Sequence, residues 1–259
     1  GSFGKITLAS NWQPNLSLLS GVPVDMDRVT RQFRARREAF EPITPQPDTV
    51  YLSFVVMESG DSPTYWQHVQ KRIWDDPARG TLPIGWSITP AVLDMLPSVA
   101  EYYLDNARPR DHFFCALSGW GYCHPYRGFM AQTDAPDAAW KAFYGTTSAH
   151  MQRLGLDQLA LYTGAWRPYR RAEKDPVTRR IAEHSPAARG LILGMGRDDE
   201  ITATEPHYRI GDAVVSHVFT RWDPGNVGRN EANNAWLAEE IRAQTPGNRP
   251  AFMFVHPLS

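Results

Sequence analysis

A chain of 259 residues, 42% of them hydrophobic and 21% charged, has enough apolar material for a sizeable core and matches the composition of ordinary globular domains. Its 27 basic and 28 acidic residues leave a formal net charge of −1, which removes the positive footprint of a nucleic-acid binder. No apolar run approaches the about 18 residues of a transmembrane helix, so no membrane association is expected. Gly1-Ser2 reads as a cloning remnant, leaving residues 3–259 as one domain. The two cysteines, Cys115 and Cys123, make neither a disulfide framework nor a CxxC site and leave the redox compartment open.

In chain order, short apolar, β-branched or aromatic runs alternate with stretches of helical spacing. The runs are Ile6 to Ser10, Val50 to Met57, Leu82 to Ile88, His112 to Ser118, Leu159 to Thr163, Gly190 to Met195, Ala213 to Phe219 and Ala251 to His256. Eight strands alternating with helices predict an α/β protein of the (β/α)8 TIM-like barrel class. Between the strands, Tyr65, Trp66, Val69 and Ile73 mark a helix stopped by Asp75-Asp76-Pro77. Thr89 before Pro90 reads as an N-cap for a helix whose Leu93, Leu96, Ala100 and Tyr103 share a face. Asp175-Pro176 opens another helix through Ile181. Arg197 to Gly211 has no helical period, so the barrel has room for an irregularity between strands six and seven. An open parallel sheet is the alternative.

In such barrels the loops after the strands hold the active site. ALSGWGYCHPY, residues 116 to 126, ends the fourth run with Gly119 and Gly121 around a tryptophan, followed by Tyr122, His124 and Pro125. This composition suits both a sharp turn and a ligand loop. The expectation is that the two glycines let the backbone leave this run and fold over the barrel mouth, so that Tyr122 and His124 face the same cavity as Asp61. Of the nine tryptophans, Trp12, Trp86, Trp120, Trp166 and Trp222 fall at or just after strand ends, and Trp66, Trp74, Trp140 and Trp236 in helices. The first set is positioned either to line a mouth with flat faces for sugar rings or to plug the end of the barrel.

The 116–126 loop, together with VYLSFVVMESGDSPTYW (50 to 66) and RGTLPIGWSITPAVLDMLPSVAEYY (79 to 103), resembles the GxGYxYP family of glycoside hydrolases. The opening ASNWQPNLSLLSG (9 to 21) and the closing RPAFMFVHPLS (249 to 259) are also similar to that family's catalytic-type domain. Gly119, Gly121, Tyr122 and Pro125 match the signature, whereas His124 stands where the second tyrosine would be. A family run of Asp-Gly-Asp-Asn after the second strand corresponds here to Ser59-Gly60-Asp61-Ser62, of which Gly60 and Asp61 match. The resemblance implies a secreted or periplasmic bacterial protein acting on an oligo- or polysaccharide, in a family that often has a further N-terminal region.

Glycoside hydrolysis by the usual route needs two carboxyl groups, one an acid and the other a base or nucleophile. Asp61 leads the candidates, with Glu58 or Glu205 as its partner and Asp223 in reserve; Tyr122, His124, Trp86, Trp120, Trp166 and Trp222 are the candidates for holding the sugar. His217 and His256, late in their strands, are either buried core histidines or substrate contacts. With Asp61 they would form a dispersed Asp/His/His set for a metal-dependent glycan hydrolase or deacetylase. A third alternative is a catalytically silent sugar-binding barrel, favoured by Ser59. The absence of HExxH, P-loop and GxSxG patterns argues against metalloprotease, NTPase and α/β-hydrolase chemistry, and no cofactor or resident metal is expected.

Overall fold

The computed structural model describes residues 15–57, 65–131, 133–163, 171–194, 207–218 and 247–256, with positions 235, 238–239, 241–243 and 245. Among the described residues, eight strands form one sheet: β1 (Val50–Val56), β2 (Ile84–Ile88), β3 (Asp111–Cys115), β4 (Gln158–Leu161), β5 (Gly190–Leu193), β6 (His207–Ile210), β7 (Ala213–His217) and β8 (Ala251–Val255). Their order is β6-β7-β5-β4-β3-β2-β1-β8. The helices are α1 (Leu16–Gly21), α2 (Met26–Glu38), a π-turn at Tyr65–Val69 running into α3 (Gln70–Trp74), α4 (Pro90–Met95), α5 (Pro97–Asp105), α6 (Pro136–Leu154) and α7 (Arg171–His184). No helix among the described residues is long and apolar enough to cross a membrane.

Seven of the eight expected strands appear with shifted ends; Ile6 to Ser10 lies outside the described residues. The additional strand, β6, arises in the stretch that had no helical period, and it runs antiparallel to β7. Only Gly211 and Asp212 separate the two, and so short a connection makes a hairpin, since a parallel crossover needs about a dozen residues. Gly211 has φ 58°, the left-handed region that tight hairpins use. The sheet is therefore mostly parallel and not closed by a continuous ladder, in place of the expected eightfold parallel barrel.

It is nevertheless strongly curled. Six strand steps separate β7 from β8 in the sheet order, about 29 Å in a flat sheet, yet Val218 and Phe254 form a parallel bridge. The His207 ring also lies 2.7 Å from the Phe252 carbonyl oxygen. The curl divides the core into two layers. Outside, Val56, Trp86, Ile88, Cys115, Leu159, Leu161, Leu191, Leu193 and Val215 meet the helices. Inside, Val55, Met57, Phe114, Ala116, Ala160, Tyr162, Ile192 and Val218 form a separate cluster, with Tyr122 and Phe254 packed against it. The period-2 alternation of each strand produces this division.

The helix boundaries follow local chemistry. Leu93, Leu96, Ala100 and Tyr103 are buried as expected, but the helix is broken in two at Leu96. Pro97 disfavours helical geometry at the preceding residue, and Leu96 has φ −136° and ψ 58°. The Thr89 hydroxyl donates to the carbonyls of Gly119 (3.3 Å) and Trp120 (3.2 Å). α7 begins at Arg171 and contains Pro176 within it, rather than starting there. α2 is capped by the Asp25 carboxylate, which accepts the Arg28 N–H at 2.9 Å.

Candidate functional site

The C-terminal ends of the parallel strands meet around the inner layer, against which the loop after β3 packs Tyr122. Its entry is fixed from both sides. Ser118, with φ 70°, donates its N–H to the Ala160 carbonyl at 2.8 Å and accepts the Tyr162 N–H on its hydroxyl at 2.9 Å. The Ala116–Leu117 peptide bond is cis. Gly119 has φ 141°, and a Cβ there would lie 2.7 Å from the Phe143 ring and 2.8 Å from the Thr147 hydroxyl. Of the two loop glycines, Gly119 takes a positive φ and Gly121 is not among the positive-φ residues. The close approach of α6 decides the position, because Thr147 also accepts the Trp120 N–H at 2.9 Å.

Beyond Gly121, the chain brings Tyr122 and His124 together with Tyr162 at the end of β4. The His124 ring centroid lies 5.1 Å from that of Tyr122 and 4.7 Å from that of Tyr162, both edge-on, and the two tyrosine rings are 6.1 Å apart. Burial, and then the positive charge of Arg127, hold the His124 imidazole below its usual pKa. Small inward residues flank this cluster. Ala116 and Ala160 belong to the inner layer, Gly85 faces Val55 and Phe114, and the buried Ser87 hydroxyl has no protein partner. A Cβ at Gly85 would already lie 3.1 Å from Val55 and 3.4 Å from the Phe114 ring, so these strands pack closely against the inner layer. Tyr162 was missed from the sequence; its place near the end of the Leu159–Thr163 run was the available signal.

His256 belongs to the same inner face, one residue beyond β8. It is 2% exposed, and its Nδ1 lies 2.8 Å from the Val55 carbonyl oxygen, to which it donates; the Met57 N–H approaches the same atom at a weaker 3.4 Å. Burial holds its pKa down to about 4, so the ring is neutral at physiological pH. His217 has the opposite parity. It shares the outer face with Val215, stacks on Tyr208 at 5.8 Å, and meets the buried Lys174 of α7, whose Nζ is 3.0 Å from its Nε2. Opposite faces of one sheet cannot supply two ligands to one ion, so the Asp/His/His metal set does not form. Among the described residues no group of three His, Cys, Asp or Glu is arranged to hold a metal.

The tryptophans are also divided. Trp86 is fully buried under α3, packs edge-on against Trp74 at 5.0 Å and donates its indole N–H to Asp111 at 2.9 Å. It is a core residue in the middle of β2, because its even parity points it at the helices. Trp120 turns outward between α4 and α6, donating to Asp94 at 3.2 Å and stacking on His150 at 6.0 Å. Neither lines the inner face, and the expected convergence of strand-end tryptophans fails for these two. Trp12, Trp166 and Trp222 lie outside the described residues, as do Asp61, Glu58, Glu205, Asp223 and Ser59. Cys115 and Cys123 are both buried and unbridged, and burial pushes the Cys115 thiol pKa up.

The sequence matches a family model described as "GxGYxYP putative glycoside hydrolase C-terminal domain" over residues 48–259. No curated protein matches it. Among solved structures, the crystal structure of a putative hydrolase from Bacteroides thetaiotaomicron VPI-5482 superposes with a TM-score of 0.66 at 18% identity, covering 93% of this chain and 44% of that one. The fold is thus shared, and this chain spans less than half the length of that solved relative.

Proposed function

From the premise that this chain belongs to the GxGYxYP glycoside hydrolase family, we propose that it binds a carbohydrate over the C-terminal ends of the parallel strands and hydrolyses a glycosidic bond there. The observation carrying this reading is the Tyr122, His124 and Tyr162 cluster beside an inner face kept small by Gly85, Ala116 and Ala160. Aromatic rings with polar edges suit a ligand with C–H faces and hydroxyl rims, and a pocket needs a few polar groups among apolar walls. In this reading the fold is an opened relative of the (β/α)8 barrel, with the irregularity taken up by the β6–β7 hairpin, and it keeps the site at the strand ends.

Hydrolysis requires a carboxylic acid to protonate the leaving oxygen and a carboxylate to attack or to activate water. We assign these roles to Asp61, directly after β1, and to Glu58 or Glu205. A separation of ~5–5.5 Å would give retention and ~6.5–9.5 Å inversion. Tyr122, His124 and Tyr162 orient the sugar, while His256, neutral and buried at the end of β8, holds the inner wall by its bond to Val55. Action on an oligo- or polysaccharide outside the cytoplasm fits this chemistry.

The test is a screen of the wild-type protein and Asp61→Asn over a panel of oligosaccharides, with products resolved by chromatography and binding measured by calorimetry. The wild type should cleave a member of the panel, and Asp61→Asn should bind it without turnover. Undiminished turnover by Asp61→Asn overturns the acid/base assignment. The second reading, a catalytically silent sugar-binding protein, is favoured by Ser59 where the family run has an aspartate; binding without cleavage by the wild type would select it.

A further inference from the structure

We infer that the curled sheet is a two-part clamp: the half-sheets β8-β1-β2-β3 and β4-β5-β7-β6 slide against each other as units, and the candidate site straddles one of the two seams between them.

The first observation is where the backbone ladders run and where they stop. In one half, β1 pairs with β8 from Val50 opposite Ala251 to Phe54 opposite Val255, β1 with β2 from Phe54 opposite Ile84 to Val56 opposite Trp86, and β2 with β3 from Ile84 opposite Asp111 to Ile88 opposite Cys115. In the other, β4 pairs with β5 from Gln158 opposite Gly190 to Leu161 opposite Leu193, β5 with β7 from Gly190 opposite Val214 to Leu193 opposite His217, and β6 with β7 along its whole length. Between the halves, among the described residues, the ladders shrink to single pairs. These are Cys115 with Leu159, where β3 meets β4, and Val218 with Phe254, where β7 meets β8. With the fewest backbone bonds to break, these junctions are where the sheet parts at least cost.

The second is that a side chain staples each seam. At the first, the Ser118 hydroxyl accepts the Tyr162 N–H at 2.9 Å, beside the Ser118 N–H bond to the Ala160 carbonyl at 2.8 Å. At the second, the His207 ring donates from Nε2 to the Phe252 carbonyl at 2.7 Å, while its Nδ1 is bonded to the Ser216 hydroxyl at 2.8 Å. Such staples hold two strands at one point without the continuous register that a ladder imposes.

The third is the position of the site. Tyr122 and His124 sit on the loop after β3, in one half, and Tyr162 follows β4, in the other, its ring 6.1 Å from Tyr122 and 4.7 Å from His124. Because the curl closes on itself, a rigid half that slides along the strand direction moves at both seams together. Release of the His207 staple therefore reaches Tyr162, and the slide changes the separation of the three rings. Small sliding of packed units is the shear type of conformational change.

The experiment is hydrogen exchange of the full chain, resolved to single amides by NMR under conditions where exchange reports equilibrium opening, for the wild type, His207→Phe, Ser216→Ala and His207→Gln. In the wild type, the Ser118 and Tyr162 amides, which bond across the first seam, should exchange about ten-fold or more faster than amides inside β2 and β5. In low denaturant their exchange should also rise less steeply, because sliding exposes less surface than unfolding. His207→Phe removes both bonds of the staple at the opposite seam and should speed exchange at Ser118 and Tyr162 by about five-fold, the equivalent of one hydrogen bond. Ser216→Ala should act in the same direction and serves if His207→Phe does not fold. His207→Gln, which keeps a donor for the Phe252 carbonyl, should stay within about two-fold of the wild type. Unchanged exchange at Ser118 and Tyr162 in both His207→Phe and Ser216→Ala overturns the joint movement of the two seams. Equal rates and equal denaturant slopes for the seam amides and those inside β2 and β5 overturn the division into half-sheets.

Discussion

The Ser118 hydroxyl accepts the backbone N–H of Tyr162 at 2.9 Å, one strand over, while the Ser118 N–H donates to Ala160 at 2.8 Å. This pair of bonds joins the ends of β3 and β4 and sets the distance between the two loops that present Tyr122, His124 and Tyr162. Ser118→Ala leaves a buried N–H without its acceptor, at a cost of about 1–3 kcal/mol. The variant should unfold at lower denaturant concentration than the wild type and should bind sugar more weakly. An unchanged midpoint would show that the strand ends are held by other contacts.

At the adjacent position, steric space decides. A side chain on Gly119 would overlap Phe143 and Thr147 and would sit at φ 141°. Gly119→Ala is therefore expected to destabilise the protein by about 1–3 kcal/mol, from overpacking and backbone strain combined. Gly121→Ala, at a residue without positive φ, should cost less. Comparison of the two melting temperatures checks the ranking, and a more damaging Gly121→Ala contradicts it.

Trp120 and Tyr122 are two residues apart and face different surroundings, so their removal should have separable effects. Tyr122→Ala is predicted to weaken sugar binding by about 1–3 kcal/mol, as for other aromatic anchors. Trp120→Ala, which empties the contact between α4 and α6, should lower stability and leave affinity nearly unchanged. Calorimetry and thermal melts on both variants test this, and an affinity loss confined to Trp120→Ala would reverse the assignment.

These contrasts also show how far the sequence could be read. Short apolar, β-branched and aromatic runs located seven strands, because a strand buried against helices on one face and against the inner layer on the other is apolar along most of its length. β6 was missed, since four residues with burial alternating between intermediate, buried and exposed positions make too weak a signal, and a two-residue turn fixed its direction. The site loop was found through its unusual Gly-Trp-Gly-Tyr composition, yet the conformation of its glycines depended on α6, more than twenty residues away. Proximity of tryptophans to strand ends was a poor guide to which side of the sheet they face. Strand parity would have turned Trp86 outward with Ile84 and Ile88, and it separates His217 from His256.

Asp111 anchors the opposite end of the sheet. Its carboxylate is 1% exposed, pairs with Arg79, and accepts the Trp86 indole N–H at 2.9 Å and the Arg108 N–H at 2.7 Å. Asp111→Ala would leave the Arg79 guanidinium buried without its counter-charge, and breaking such a pair costs about 3–5 kcal/mol. Replacing Arg79 by Met together with Asp111 by Leu should recover part of that loss. Chemical denaturation of the single and double variants measures it, and a double variant as unstable as Asp111→Ala would mean the hydrogen bonds to Trp86 and Arg108 matter more than the charge.

The buried His256 predicts how stability depends on pH. Its pKa is about 4 in the folded protein, against 6.5 for the unperturbed side chain, because burial disfavours the charged ring. Between those values the unfolded chain binds the proton and the folded chain does not, so lowering the pH favours unfolding. The stability associated with neutral His256 is fully present above about pH 6.5 and is lost progressively as the pH falls to about 4. At 1.36 kcal/mol per unit the loss is about 3 kcal/mol. His112, His124 and His150 are shifted in the same direction and add to the slope. His256→Asn keeps a donor for the Val55 carbonyl and removes the titration. Denaturation midpoints measured from pH 7.5 to pH 4 should therefore fall less steeply for His256→Asn than for the wild type. Parallel pH profiles for the two proteins would show that His256 is not held neutral by the fold.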